Sequence, residues 1–236
     1  MDHILDVDVA EIVASNLDFS DNRPLKSVVY NALRTTILKG EIPAGTRINE
    51  SVLAERVSIS RTTLRYALQK LHKEHLLDYK SGRGMIVKGI TIKDASEIFT
   101  IRKSLDYLAT ITAMYRMDES DFQELEEILI LMNQQTENTK NLVNLFTEFN
   151  EFIYEKSQIY RLKDTMVNIQ NYLTYFRSLS VQSNRRRREA ITDHRKIYLS
   201  MRNKEEEQLK QLIDQHLDAA LLSIVKEMDE VHPIAL

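Results

Sequence analysis

Residues 51–87 read SVLAERVSISRTTLRYALQKLHKEHLLDYKSGRGMIV, and this stretch decides the fold. Its pattern predicts a helix, a tight turn, a second helix and a glycine-rich hairpin. In the second helix Leu64, Ala67, Leu68 and Leu71 stand at i, i+3, i+4 and i+7, the spacing of a buried face. Arg61 and Arg65 are four residues apart and share the opposite side, with Thr62 beside them. Ser60 precedes this helix in the N-cap position. A short helix anchored by leucines and basic on its other face suits the major groove of DNA. Arginine at the start of such a helix can bond guanine with two parallel hydrogen bonds, while hydroxyls and backbone N–H groups reach phosphates.

Working outward, LLDY and MIVKG pair as two strands around Lys80–Gly84. Gly82 and Gly84 make the turn, which also lets backbone N–H groups approach a phosphate while Arg83 reaches for the minor groove. Upstream, Pro24 starts a helix whose stripe is Leu25, Val29, Ala32 and Leu33, and Gly40 ends it just past the C-cap. The turn EIPAG leads to an extended segment at Arg47 to Asn49, and Asn49 caps a helix that turns Leu53 and Val57 inward.

The run from Leu25 to Val87 resembles the winged helix-turn-helix of the GntR superfamily of bacterial transcription regulators. The resemblance is carried by Gly40, Pro43, Gly45, the LAE of residues 53–55, SRTTLR and GRG. It implies that Ser60, Arg61, Thr62, Arg65, Gly82 and Arg83 contact operator DNA. One such module covers only a half-site, so the resemblance and the geometry together imply a homodimer on a roughly palindromic operator.

Charge follows the same division. Residues 24–90 hold twelve Lys/Arg against five Asp/Glu, a net of +7 in a chain of net −3. A basic module on an otherwise acidic protein is an electrostatic footprint for DNA. All five glycines precede residue 90, and from Ile90 to His232 there is neither glycine nor proline. That long unpunctuated stretch, helical in period, predicts an all-α unit. The expected organisation is an acidic N-terminal arm over 1–23 with a short helix at Val9 to Asn16, a winged helix-turn-helix over 24–90, and a helical bundle over 91–236. The fold class is thus mostly α. Thr91 with Asp94 resembles a capping box that opens the first of six helices, at roughly 91–117, 119–136, 138–157, 160–179, 184–201 and 203–230. No cysteine, no secretory leader pattern and no membrane-length apolar run occur, which predicts a cytoplasmic protein without membrane partners.

Polar residues fall inside the apolar stripes of the bundle. Arg102 lies within Ile98, Ile101, Leu105, Leu108 and Ala109, and Asn150 among Val143, Phe146, Ile153 and Tyr154. His194 shares a face with Ile191, Tyr198 and Met201, and His216 with Leu209, Ile213 and Ala220. An inward arginine is costly unless something anionic meets it. Four polar residues on four helices, all aimed inward, predict a ligand cavity. Arg187, seven residues before His194 in the run Arg185–Arg188, is placed near a helix start where positive charge is unfavourable, and joins the candidate set.

Residues 93–229 resemble the all-α FCD effector domain of the FadR subfamily. That resemblance implies a divalent metal held by an Asp, a His four residues on and two later histidines, with a nearby arginine binding a small carboxylate effector. His194 in DHRKI and His216 in QHL match the later histidines, and Arg102 matches the arginine. The front half departs, because LFTEFNEF places Phe146 at the Asp position and Asn150 at the first His. Two imidazoles and an amide make a poor zinc or nickel site. The expectation is therefore a direct carboxylate site on Arg102, Asn150, Arg187, His194 and His216, with no metal required and with the histidines and arginines as charge-assisted donors. The alternatives are a metal-dependent effector site on His194, His216 and Asn150, or a helical unit that serves only dimerisation. No HExxH or comparable motif supports an enzyme.

Overall fold

The computed structural model describes residues 8–18, 20 and 22–231. The opening of the N-terminal arm, with positions 19 and 21, lies outside the described residues. The chain divides into two compact units, Met1–Thr91 and Ile92–Leu236.

In the first unit α1 (Val9–Ser15) precedes α2 (Leu25–Leu38), β1 (Arg47–Ile48), α3 (Glu50–Arg56), α4 (Arg61–Lys73), β2 (Leu77–Lys80) and β3 (Gly84–Val87). The local signals act as chemistry dictates. Asn49 Oδ1 accepts from the N–H groups of Ser51 and Val52, and Ser60 Oγ from that of Thr63, so orphan donors at the starts of α3 and α4 are satisfied. Gly40 follows the α2 C-cap Lys39 with φ +72°, a conformation other residues adopt at a cost. Leu64, Ala67, Leu68 and Leu71 are fully buried and bind α4 to α2, where Leu33 is also fully buried. The sheet order is β1-β3-β2, all antiparallel, with Lys80 opposite Gly84 at the hairpin tip. Asp8 ties α1 down, since its carboxylate caps the helix and grips Arg56 with two bonds of 2.7 Å. Those Arg56 bonds hold the Asp8 pKa below its ordinary value.

The second unit is a bundle of α5 (Ile92–Arg116), α6 (Glu119–Gln134), α7 (Thr139–Ser157), α8 (Tyr160–Ser180), α9 (Asn184–Asn203) and α10 (Glu206–Val231). Helix α5 is central and packs against both α7 and α10. Asp118 and Asp121 form a reciprocal capping box that starts α6. Lacking glycine, the unit ends α7 and α9 on the non-glycine residues Gln158 and Lys204, with φ +52° and +58°.

One stripe differs from expectation. The buried face of α5 is Ala95, Phe99, Arg102, Asp106, Ala109, Thr110, Ala113 and Met114, whereas Ile101 and Leu108 are exposed. Helix α5 is apolar around most of its circumference, so periodicity alone did not choose a face.

Candidate functional sites: a nucleic-acid face and a buried arginine–histidine cavity

Helix α4 and the β2–β3 wing build the first site. Ser60, Arg61, Thr62, Arg65, Gly82 and Arg83 are all exposed, and the leucine face behind them fixes the helix. Arg65 Nε lies 3.3 Å from Glu50 Oε2 at the start of α3, which leaves both terminal amino groups of Arg65 outside that contact. At the wing tip the Arg83 N–H donates to Lys80 O at 3.0 Å, closing a tight turn around Gly82 at φ +75°. Beyond the chain neighbours, no atom of the described residues lies within 4 Å of where a Gly82 or Gly84 side chain would begin, so these glycines serve backbone conformation and leave the tip open.

The second site is a cavity of about 30 Å³ inside the bundle, lined by Arg102, Asn150, Arg177, Arg186, His194 and His216, with Phe99, Phe146, Phe176, Ser180, Val181, Ala190 and Ala220. Arg102, Asn150, His194 and His216 do meet here. Arg187 does not. Its guanidinium donates to Val181 O at 3.0 Å, Gln182 O at 2.8 Å and Asn184 Oδ1 at 2.6 Å, so it closes the carboxyl end of α8. Those carbonyls capture the long side chain, and its neighbour Arg186 lines the cavity in its place.

The inward charge of Arg102 is met within the chain. Arg102 Nη2 donates to Asp106 Oδ2 at 2.8 Å, and Tyr154 OH donates to Asp106 Oδ1 at 2.6 Å, all three residues being buried. Burial opposes the Arg102 charge, but Asp106 outweighs it and the guanidinium pKa is raised. Burial also drives the Tyr154 phenol well above its ordinary value. Arg186 is answered by Asp193 at 3.3 Å and by His216 O at 3.4 Å. Arg177 is different. The one hydrogen bond of its guanidinium among the described residues goes from Nη1 to the neutral Thr147 Oγ1 at 3.0 Å. Burial, and then repulsion from Arg102, lower its pKa to about 10. Arg102 Nε, Arg177 Nη2 and Arg186 Nε are buried without a hydrogen-bond partner among the described residues. Such orphan donors are costly and ask for an acceptor.

The two histidines are held in one tautomer. His194 Nδ1 lies 2.7 Å from Ala190 O, an atom that only accepts, so Nδ1 carries the proton and Nε2 the lone pair. His216 Nδ1 lies 3.2 Å from Asp193 Oδ2. Burial depresses the pKa of His194 well below the ordinary range, assisted by His216, and burial also lowers that of His216 against the pull of Asp193. Burial thus favours the neutral form of both imidazoles, each of which turns its Nδ1 to a protein oxygen.

Bare Nε2 atoms with anchored Nδ1–H groups are also how metal-binding histidines are prepared. The rest of the set does not fit a metal. Phe146 stacks face to face on His194, with centroids 4.6 Å apart and planes 10° from parallel, where the family places a carboxylate. The Asn150 amide donates to Phe146 O at 2.6 Å. Among the described residues no three His, Cys, Asp or Glu side chains converge as a metal-binding group.

The sequence reading missed Asp106, Arg177 and Arg186. Asp106 was within reach, being four residues after Arg102 on the same face. Arg177 likewise stands four residues after the buried Leu173 and eleven after the buried Met166, in register with an apolar stripe.

Comparison with known proteins agrees with this architecture. The FCD domain family matches residues 97–219, and the family of bacterial regulatory proteins, gntR family, matches residues 25–87. An uncharacterized HTH-type transcriptional regulator of Bacillus subtilis (strain 168), YdhC, is 28% identical over 206 residues, covering 85% of this chain and 92% of that one. The gluconate operon transcriptional repressor of the same organism is 32% identical over 101 residues, covering 42% of this chain and 41% of that one. The solved structure of E. coli McbR/YncC shares the fold, with a TM-score of 0.63 at 21% identity over 86% of this chain and 98% of that one. The matched families and relatives are transcription regulators, not enzymes. Among the described residues no helix is long and apolar enough to cross a membrane. With the gntR-type unit joined to an FCD unit that covers more than half its length, the chain belongs to the FCD-bearing branch of the GntR family and is a DNA-binding transcription regulator of that type.

Proposed function

We propose that this regulator is controlled by a small carboxylate metabolite taken into the cavity of its helical unit. The observation that carries the reading is that three buried guanidinium groups, on Arg102, Arg177 and Arg186, line one cavity and each keeps an N–H without a partner. A carboxylate has two oxygens with about four acceptor sites, matching what those donors lack. Asn150, His194 and His216 complete the wall. Ser60, Arg61, Thr62, Arg65, Gly82 and Arg83 are the DNA-contacting set, with Arg61 and Arg65 reading base edges and the wing engaging the minor groove.

The protein works as a homodimer in the cytoplasm, one winged unit on each half-site. The outward face of α5 supports this reading. Ile101, Leu108 and Tyr115 are exposed at seven-residue intervals, a stripe suited to a second copy of the same helix. The effector changes operator affinity only through its different affinities for the free and DNA-bound arrangements. The test is an operator selected in vitro from genomic fragments, followed by titration of its affinity across a panel of mono-, di- and tricarboxylates. At least one is expected to shift the operator Kd five-fold or more. An operator Kd unmoved by the whole panel would reject effector control by this class.

A further inference from the structure

We propose that Arg177 and Arg186, not a metal ion, supply the cation of this cavity, and that the cavity takes a small, singly charged carboxylate directly on guanidinium. The inference rests on the effector reading above and assigns it two residues and a ligand charge.

Three observations converge. First, the donor set does not fit a metal, because Phe146, which cannot coordinate, lies flat on His194 and among the described residues no carboxylate joins the two histidines as a metal-binding group. Second, the charges around the cavity leave one cation over. Arg102 pairs with Asp106 at 2.8 Å and Arg186 with Asp193 at 3.3 Å, whereas Arg177 forms no ion pair among the described residues. Asp106 and Glu151 attract Arg177 without pairing with it, and a buried guanidinium with no ion-pair partner is an expensive arrangement that one carboxylate relieves. A dianion would reverse the imbalance rather than cancel it. Third, the unpartnered atoms Arg177 Nη2, Arg186 Nε and Arg102 Nε belong to groups lining the same space.

The cavity is small, about 30 Å³, so a carboxylate enters only as a side chain yields. Arg186 is the group placed to yield. Its bonds to Asp193 and His216 O are the longest around the cavity, at 3.3 and 3.4 Å, and it stands on the first turn of α9 beside the α8–α9 corner.

The experiment is a thermal-shift series on the full chain in excess chelator, with acetate, propionate, malonate and inorganic phosphate as probes. Wild type and the variants Arg177→Met and Arg177→Lys are compared. Acetate or propionate is expected to raise the wild-type Tm by several degrees, and malonate and phosphate by less. Arg177→Met is expected to lose the response while its ligand-free Tm equals or exceeds wild type, since an unpaired buried charge has gone. Arg177→Lys keeps the charge without the planar fork, and its affinity for the probe is expected to fall at least tenfold. A response that survives Arg177→Met, that needs added zinc or nickel, or that favours malonate overturns this proposal while leaving the effector reading in place. An Arg177→Met protein that is less stable than wild type makes Arg177 a structural residue and also overturns it. Absence of any response in wild type overturns this proposal, and the operator titration across the wider carboxylate panel decides the effector reading separately.

Discussion

The ring of Phe146 covers the imidazole of His194, with centroids 4.6 Å apart and planes within 10° of parallel. An edge contact from Phe149 at 4.8 Å and one from His216 at 4.6 Å close the other sides. Burial in this aromatic surround lowers the His194 pKa, and Phe146 puts a ring that cannot coordinate at the position where the resembled domain carries a carboxylate.

It follows that the metal set can be installed by two changes. Phe146→Asp with Asn150→His supplies a carboxylate and a third imidazole beside two histidines whose Nδ1–H groups are already anchored. The double variant is expected to bind zinc or nickel at one ion per chain by calorimetry, with metal raising its Tm. Without metal it is expected to be less stable than wild type, because a carboxylate replaces a ring that is 3% exposed. Wild-type protein binding zinc equally well would contradict this account of the cavity.

Acid is expected to destabilise the helical unit before the carboxylates titrate. The folded pKa values of His194 and His216 are depressed below the ordinary 6.5, chiefly by burial. The unfolded chain therefore binds more protons than the folded one below about pH 6.5, and stability falls as pH falls. The stabilisation is fully present above pH 6.5 and is lost towards the depressed folded values, at about 1.4 kcal/mol per pH unit for each histidine that stays neutral. Denaturant midpoints from pH 7.5 to 5 measure this. A flat profile would mean that the imidazoles protonate in place.

Tyr154→Phe isolates the Asp106 junction. The phenol gives Asp106 Oδ1 a 2.6 Å hydrogen bond in a site where Arg102 occupies the other oxygen. Losing that donor leaves a buried carboxylate oxygen without it and is expected to cost about 1–3 kcal/mol in urea unfolding. It is also expected to change carboxylate affinity, since Asp106 sets the orientation of Arg102. An unchanged unfolding midpoint would show that water replaces the phenol.

The sequence disclosed the parts of the molecule whose causes are local. Ser60, Asn49 and Gly40 cap helices from within a few residues of where they stand, and the leucines of α4 have one face to bury. The cavity was legible as a convergence of Arg102, Asn150, His194 and His216, because inward polar residues violate the pattern around them. What answers those residues was harder to read. Arg187 sits two turns before His194, yet its flexible stem delivers the guanidinium to the end of α8, while Arg186 reaches the cavity. Side-chain destinations of that length depend on acceptors from another helix, which periodicity does not encode.

Glu50 and Arg65 give the sharpest test of the DNA face. Their 3.3 Å contact joins the exposed Arg65 to the half-buried Glu50 at the surface, so it adds at most about 1 kcal/mol to stability and its value lies elsewhere. Held through Nε, Arg65 keeps its terminal amino groups outside that contact, which suits a directed bond to a base edge. Glu50→Gln removes the carboxylate, leaving Arg65 mobile and the face more basic by one charge. Binding to scrambled DNA is expected to strengthen, with a steeper salt dependence, while the ratio of operator to scrambled affinity falls several-fold. Arg65→Ala is expected to weaken operator binding by about 1–3 kcal/mol. If Glu50→Gln tightens operator and scrambled DNA by the same factor, Glu50 only offsets charge, and Arg65 is a phosphate contact rather than a reader of sequence.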